Sequence, residues 1–222
     1  MKDNNSIEIK ELKNSIFTEL RNIIDLNFNL NESDDNKLEL SFWRQKVHQV
    51  QEEIIKKGYP KKICIEMKEA FSSYLNTEDF SVQSGLYLRS SRPVEFSKVN
   101  AESIGWHRES FYGKGMENSF NCWIPIRGVT ELNSLRFIPN SQNLKDYEIQ
   151  NQQENDQFTN QFSIGHKLGF QYSPKIIVKG INTKKAKALD CKEGQLALFS
   201  GNLIHGAAIN NSSNIRFSID FR

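Results

Sequence analysis

The order of apolar and polar positions divides the chain into two textures. Up to about residue 78, apolar residues recur at three- and four-residue steps. Leu12, Ile16, Leu20, Ile23 and Ile24 mark one face of a first helix. A polar break from Asn29 to Asn36 follows. Leu38 to Lys57 then repeats the helical pattern, with Phe42, Val47, Val50 and Ile54 as its apolar markers. Gly58-Tyr59-Pro60 is a stop signal, a glycine after basic residues with a proline just beyond. Lys61 to Leu75 predicts a third helix, with Met67, Phe71 and Leu75 on one side.

From about residue 80 the pattern shortens to alternating runs separated by Gly, Asn, Pro and Ser. It predicts strands over Ser81–Ser90, Ile104–Glu109, Phe120–Ile126, Leu135–Ile138, Lys175–Val178, Leu196–Phe199, His205–Ile209 and Arg216–Phe221. The fold class is mainly β with N-terminal helices (α+β), and this many short strands suggest a jelly-roll or barrel-like double sheet. Between Pro139 and Pro174 lies a polar stretch without periodicity, rich in Gln and Asn around Gln150–Gln161. A loop of that length inside a compact domain is expected to act as a lid or to be disordered, and its place between the segments of His107 and His205 favours a lid.

Composition narrows the function classes. At 222 residues the chain suits one sizeable domain. A quarter of the residues are charged, yet the net charge is only +2, and no long basic run points to nucleic acid or a membrane surface. No stretch approaches the ~18 continuous apolar residues of a membrane span. Met1 to Asn5 has no apolar signal core. Cys64, Cys122 and Cys191 are odd in number and lack a Cys-x-x-Cys pair, which argues against a disulfide framework and a thiolate zinc site. A cytoplasmic protein in a reducing compartment is the expectation.

The candidate chemistry sits at His107-Arg108-Glu109, His205 and Arg216. In a strand, residues two apart share a face, so His107 and Glu109 are expected to project together while Arg108 points away. His205, 98 residues after His107, would complete one triangular face of an octahedral ion. Two imidazoles and a carboxylate suit Fe(II) and leave positions open for a co-substrate and O2. A His-x-Glu pair alone is weak, since the spacing is common; the matched His205 and Arg216 give it weight. The last predicted strand alternates Arg216, Ser218, Asp220 and Arg222 with Phe217, Ile219 and Phe221. Arg216 presents a planar fork for a carboxylate, with Ser218 beside it, and together they resemble a receptor for the distal carboxylate of 2-oxoglutarate. The alternative for Arg216 is an ion pair with Asp220. Asn121 and Gln83, on polar faces of their strands, are further co-substrate candidates. Tyr87, Arg89 and Trp123 are substrate candidates, although Trp106 and Trp123 also suit core packing. Arg92 is a substrate candidate only for an anionic ligand. His48 reads as a solvated surface residue, and His166 as either a loop residue or a contributor from the lid.

Four segments carry a family resemblance: Trp106 to Glu109, Asn121 to Ile126, Gly201 to Ala207, and Arg216 to Arg222. In them the chain resembles the Fe(II)/2-oxoglutarate-dependent oxygenases of the phytanoyl-CoA dioxygenase-like branch, over roughly residues 80–222. The resemblance implies a double-stranded β-helix core with helices packed outside: one oxygenase domain over 1–222, helical to 78, with a lid-like insertion at 139–174. It implies iron ligation by His107, Glu109 and His205 and 2-oxoglutarate binding by Arg216. The implied reaction is hydroxylation of an unactivated carbon, with desaturation or ring closure as alternative outcomes, coupled to decarboxylation of 2-oxoglutarate to succinate and CO2. The branch more often has Asp where this chain has Glu109, and the carboxylate speaks against a halogenase. Within the branch the chain is similar to bacterial carbohydrate-biosynthesis oxygenases. The expected partner is therefore a small-molecule substrate, a sugar or nucleotide sugar, with no nucleic acid, no membrane and an open oligomeric state. Two alternatives compete. A cupin-type metalloenzyme would need a richer histidine cluster, and a jelly-roll carbohydrate-binding domain would bind no metal.

Overall fold

The computed structural model describes residues 7–28, 38–96, 105–111, 116–151, 175–207 and 209–222. A short strand, β1 (Glu8–Glu11), is followed by four helices: α1 (Asn14–Asn27), α2 (Leu40–Lys56), α3 (Tyr59–Glu66) and α4 (Lys68–Leu75). The predicted periodic residues Ile16, Leu20, Ile23 and Ile24 are the buried face of α1. In α2 the buried stripe is Trp43, Val47, Val50 and Ile54, whereas Phe42 is exposed. The steps 43-47-50-54 keep one helix face, and residue 42 lies about a quarter turn off it. Gly58 ends α2 in a left-handed conformation at φ 76°, which a side chain would strain, and Pro60 sits in the first turn of α3 where no helical N–H is needed. The predicted third helix is two, because the chain leaves helical geometry at Met67 (φ −98°, ψ 8°).

The remaining strands are β2 (Tyr87–Ser91), β3 (Phe120–Arg127), β4 (Leu135–Phe137), β5 (Glu148–Asn151), β6 (Lys175–Lys179), β7 (Lys187–Ala188), β8 (Gln195–Ser200), β9 (His205–Ala207) and β10 (Arg216–Phe221). They form an antiparallel five-stranded sheet in the order β1-β8-β3-β10-β2, a three-stranded sheet β7-β4-β9 and a β5-β6 pair. The segment around Trp106 and His107 lies between β6 and β9. Ile177 N–H donates to Trp106 O at 2.7 Å, and His107 and His205 exchange backbone hydrogen bonds at 2.9 and 3.1 Å.

Alternation explains the layering. One face of the large sheet presents Cys122, Ile124, Ile126, Leu196, Leu198, Phe217, Ile219 and Phe221 to the helices. Phe217 packs on Phe28 with ring centroids 4.6 Å apart, and Trp43 closes the group at 5.9 Å from Phe217. Full burial of each such side chain stabilises by roughly 2–3 kcal/mol as an upper estimate. The other face presents Trp123, Ala197 and Phe199, which meet Leu189, Cys191 and Leu203, with Leu135 and Phe137 of β4 against them. Two sheets enclosing an interior, with helices outside one of them, is the double-stranded β-helix the resemblance implied.

Two predicted strands differ. Ser81–Ser90 begins only at Tyr87; ahead of it the Gln83 N–H donates to Arg222 O at 2.7 Å, outside the regular β2–β10 ladder. Of the predicted Ile104–Glu109, the described residues 105–109 hold a single bridge, at His107, and the chain then enters a 3-10 turn at Glu109–Phe111. Strands β1, β5 and β7 were not predicted. Each is four residues or fewer, and β1 has only Ile9 as an apolar residue. Of the insertion expected at 139–174, residues 152–174, with His166, lie outside the described residues.

Candidate active site

His205 is placed by β9, whose neighbour β4 pairs Phe137 with it across the small sheet. His107 is placed by its bridge to His205, which brings the two imidazoles to 4.3 Å between centroids. Glu109 arrives by a route different from strand alternation. Its N–H donates to Gly201 O at 2.9 Å, and the 3-10 turn starting there rolls its side chain back toward the histidines. Gly201 permits this close approach, since a Cβ there would run into Ser119 Oγ and lie 3.0 Å from Ser119 O and 3.2 Å from the Glu109 Cβ. Arg108 points away, as expected, with its guanidinium on Ser141 O and over the Tyr147 ring at 4.9 Å.

The three donors converge. Glu109 Oε1 is 3.5 Å from His205 Nε2 and 4.0 Å from His107 Nε2, and all three ligand atoms lie within 4.8 Å of one another. Donors about 2.1 Å from an ion and at right angles to each other stand roughly 3.0 Å apart, so modest closure fits the set to one face of a metal. Both histidines are already oriented for it. His107 Nδ1 is 2.8 Å from Gly105 O and His205 Nδ1 is 2.8 Å from Leu203 O. A carbonyl can only accept, so Nδ1 carries a proton and Nε2 is the atom turned toward the carboxylate. The edge of Phe199 packs on the His205 ring at 5.2 Å.

All three ligands are buried. Burial, then the neighbouring His205, pushes the His107 imidazole down to about 3, which keeps it neutral and able to ligate. Burial acts to raise the Glu109 carboxyl, but contact with His205 and the charge on Arg222 outweigh it and hold it below the usual carboxylate range. Arg222 was read in the sequence only as part of the polar alternation. It forms a close ion pair with Glu109 Oε2.

The polar face of β10 turns into the interior with the triad. Arg216 is buried, and its Nη1 donates to Asn133 O at 2.9 Å rather than pairing with Asp220. Asp220 instead takes Arg89 Nε at 2.7 Å, and Arg89 lies over the Tyr87 ring at 4.9 Å. Ser218 is fully buried, and among the described residues its Oγ and the Asn121 Nδ2 have no hydrogen-bond partner. Asn133 was not identified from the sequence. Its side chain ties Gly128 O, the Thr130 N–H and Ser212 together, which fixes the carbonyl that Arg216 meets. Trp123 is buried in the inner apolar layer. Gln83 is exposed and lies ahead of β2, so strand alternation does not carry it to the face of Tyr87 and Arg89. Arg92 belongs to the helix side, with Nη1 on Leu38 O at 2.6 Å and its guanidinium over Trp43. His48 is half-buried on α2, away from the buried ligand set.

A buried donor set of two imidazoles and a carboxylate, beside unpartnered buried donors, fits Fe(II) with a carboxylate-bearing co-substrate. No helix among the described residues is long and apolar enough to cross a membrane. Solved structures give the same fold. AviO1 from Streptomyces viridochromogenes Tue57 aligns with a TM-score of 0.54 at 12% identity, covering 98% of this chain and 88% of its own. EctD from S. alaskensis, solved with bound Fe, aligns at 0.55 and 12% identity, covering 99% of this chain and 72% of its own. EvdO2 from Micromonospora carbonacea var. aurantiaca, complexed with 2-oxoglutarate, aligns at 0.50 and 12% identity, over 78% of this chain and 63% of its own. No curated protein matches the sequence. The family model described as phytanoyl-CoA dioxygenase (PhyH) matches residues 18–218, a span that runs through both ligand segments and Arg216. The chain therefore belongs to the phytanoyl-CoA dioxygenase family and is a 2-oxoglutarate-dependent non-haem iron oxygenase whose Fe(II) is held by His107, Glu109 and His205.

Proposed function

We propose that this oxygenase hydroxylates an unactivated carbon of a small polar metabolite, a sugar or sugar derivative, releasing succinate and CO2. The observation that carries the substrate class is the inner wall beside the triad. There Tyr87, Arg89 and Asp220 offer a phenol, a guanidinium and a carboxylate at the β2 edge, with the Arg89 and Asp220 side chains 29% and 18% accessible. A hydroxyl-rich ligand can bond to the accessible edges of the Arg89–Asp220 pair, whereas an apolar one would strip water from the pair without replacing its hydrogen bonds. Trp123 supplies an apolar floor on the neighbouring strand, opposite Asp220 in register.

Iron and 2-oxoglutarate together supply the oxidising power to break a carbon–hydrogen bond. The chain supplies the placement. Arg216, with Ser218 on the same face of β10, is suited to grip the distal carboxylate of 2-oxoglutarate. Asn121 Nδ2, on β3 opposite Phe199, is a donor for the end of the co-substrate nearer the histidines. The apolar layer of Phe199, Leu203 and Trp123 keeps water from the reacting carbon.

The test is a panel of free sugars, nucleotide sugars, amino acids and acyl thioesters, scored by substrate-stimulated succinate formation under limiting O2. Stimulation by sugars or nucleotide sugars is expected. Stimulation by an acyl thioester alone would sink the proposed class. The iron reading has its own check: a visible charge-transfer band on adding Fe(II) and 2-oxoglutarate without air, lost in His205→Ala.

A further inference from the structure

The two oxygens of the Glu109 carboxylate are divided between different partners. Oε1 faces the histidines, at 3.5 Å from His205 Nε2 and 4.0 Å from His107 Nε2. Oε2 is closed off by the guanidinium of Arg222. The Arg222 side chain is only 8% accessible, so the pair is shielded from water and from salt. It is also held in place. The backbone carbonyl of Arg222 accepts the Gln83 N–H at 2.7 Å, and its guanidinium stands 5.7 Å from the Tyr87 ring centroid. On the same face, Asp220 is already engaged by Arg89, so the nearest competing carboxylate is committed elsewhere.

We propose that Arg222 is a positioning residue that restricts Glu109 to one-oxygen ligation of the iron. A facial triad is useful because three coordination positions remain, two for a chelating 2-oxo acid and one for dioxygen. A carboxylate free to turn brings its second oxygen onto the ion and takes one of them. Glutamate is the more exposed to this failure, because its extra methylene, compared with the aspartate more common in the branch, adds a rotatable bond. A guanidinium fixed on Oε2 removes that freedom and leaves Oε1 as the ligand. The inference rests on the iron site and is independent of the substrate class proposed above.

Three measurements test it on the full chain. First, the infrared difference spectrum of the wild-type protein on Fe(II) or Co(II) loading is expected to show the wide carboxylate stretch separation of one-oxygen coordination. The narrow separation of two-oxygen coordination overturns the proposal outright, with no variant needed. Second, in Arg222→Gln the metal alone is expected to bind as well as in wild type or better. The 2-oxoglutarate dissociation constant, read from the charge-transfer band, is expected to rise about tenfold, the result of about 1.4 kcal/mol of competition from the second carboxylate oxygen for a co-substrate position. Retained metal with unchanged 2-oxoglutarate affinity overturns the proposal, as does a parallel loss of metal affinity, which would make Arg222 a general support of the site. Third, Arg222→Lys keeps a cation near Oε2 and is expected to recover most of the 2-oxoglutarate affinity and the wide infrared separation. A lysine variant that is folded and metal-loaded but has the narrow separation overturns it too. Absence of the charge-transfer band in wild type would instead refute the cofactor reading, so the two failures are distinguishable.

Discussion

Ser141 joins the two ligand segments, and its removal has a calculable consequence. Its Oγ accepts the Ile204 N–H at 2.8 Å, and its carbonyl oxygen receives the Arg108 guanidinium. Ile204 directly precedes His205, and Arg108 lies between His107 and Glu109. Ser141 is 3% accessible and Ile204 is fully buried, so water cannot replace the hydroxyl. Ser141→Ala therefore orphans a buried N–H while leaving the Arg108 contact, which uses the backbone, in place. An unsatisfied buried amide costs about 1–3 kcal/mol. For a chain of this size each kcal/mol lowers the melting temperature by roughly 2–4 °C, so the metal-free variant should melt about 2–12 °C below wild type. Because the freed amide adjoins His205, Fe(II) affinity should also fall, by about tenfold. Thermal unfolding followed by circular dichroism gives the first number and metal titration the second. A melting temperature within about 1 °C of wild type would refute the accounting for the Ile204 amide. A lowered melting temperature with unchanged metal affinity would refute the coupling to His205.

Other outcomes follow from the same geometry. Arg216→Ala should weaken 2-oxoglutarate binding by tenfold or more while Fe(II) binding is largely kept, since Arg216 is not one of the three donors of the metal set; equal affinity in a charge-transfer titration would remove its assigned role. Gly201→Ala forces a Cβ into Ser119 Oγ and close against Ser119 O and the Glu109 Cβ, so it should cost about 1–3 kcal/mol and loosen the metal, seen as a lowered denaturation midpoint and weaker Co(II) binding. For pH, the folded His107 titrates near 3 against 6.5 when unexposed to these surroundings, so between those values the unfolded chain binds a proton that the folded chain refuses. Stability of the metal-free protein should thus be flat from this group above pH 6.5 and decline as pH falls toward 3. Glu109, held low, adds to the loss in the acid range. Urea unfolding at a series of pH values measures this, and His107→Gln should flatten the slope; an equally steep slope in that variant would contradict the assignment.

Much of the site was legible because metal chemistry restricts residue type. The His-x-Glu pair gained weight from the matched His205 and Arg216, and the alternation of Arg216 to Arg222 displays its inner and outer faces directly. The helices were legible for the same kind of reason, since a buried stripe imposes its period on the sequence. The local route to Glu109 was not. Strand alternation gave the right partner for His107 by a geometry the chain does not use, because the 3-10 turn depends on a hydrogen bond to Gly201 O, 92 residues away.

What the amino-acid order determined by itself was the donor set, the face of β10 that meets the interior, and the division into helices and short strands, all of which rest on side-chain chemistry or local periodicity. What only the tertiary structure decided was which distant groups complete those donors: Arg222 on Glu109, Asn133 O on Arg216, Ser141 between the two ligand segments, and β1 on the edge of β8. Most of these contacts run through backbone carbonyls and amides, which every residue carries. They leave no mark on the sequence until the fold has brought the two ends together.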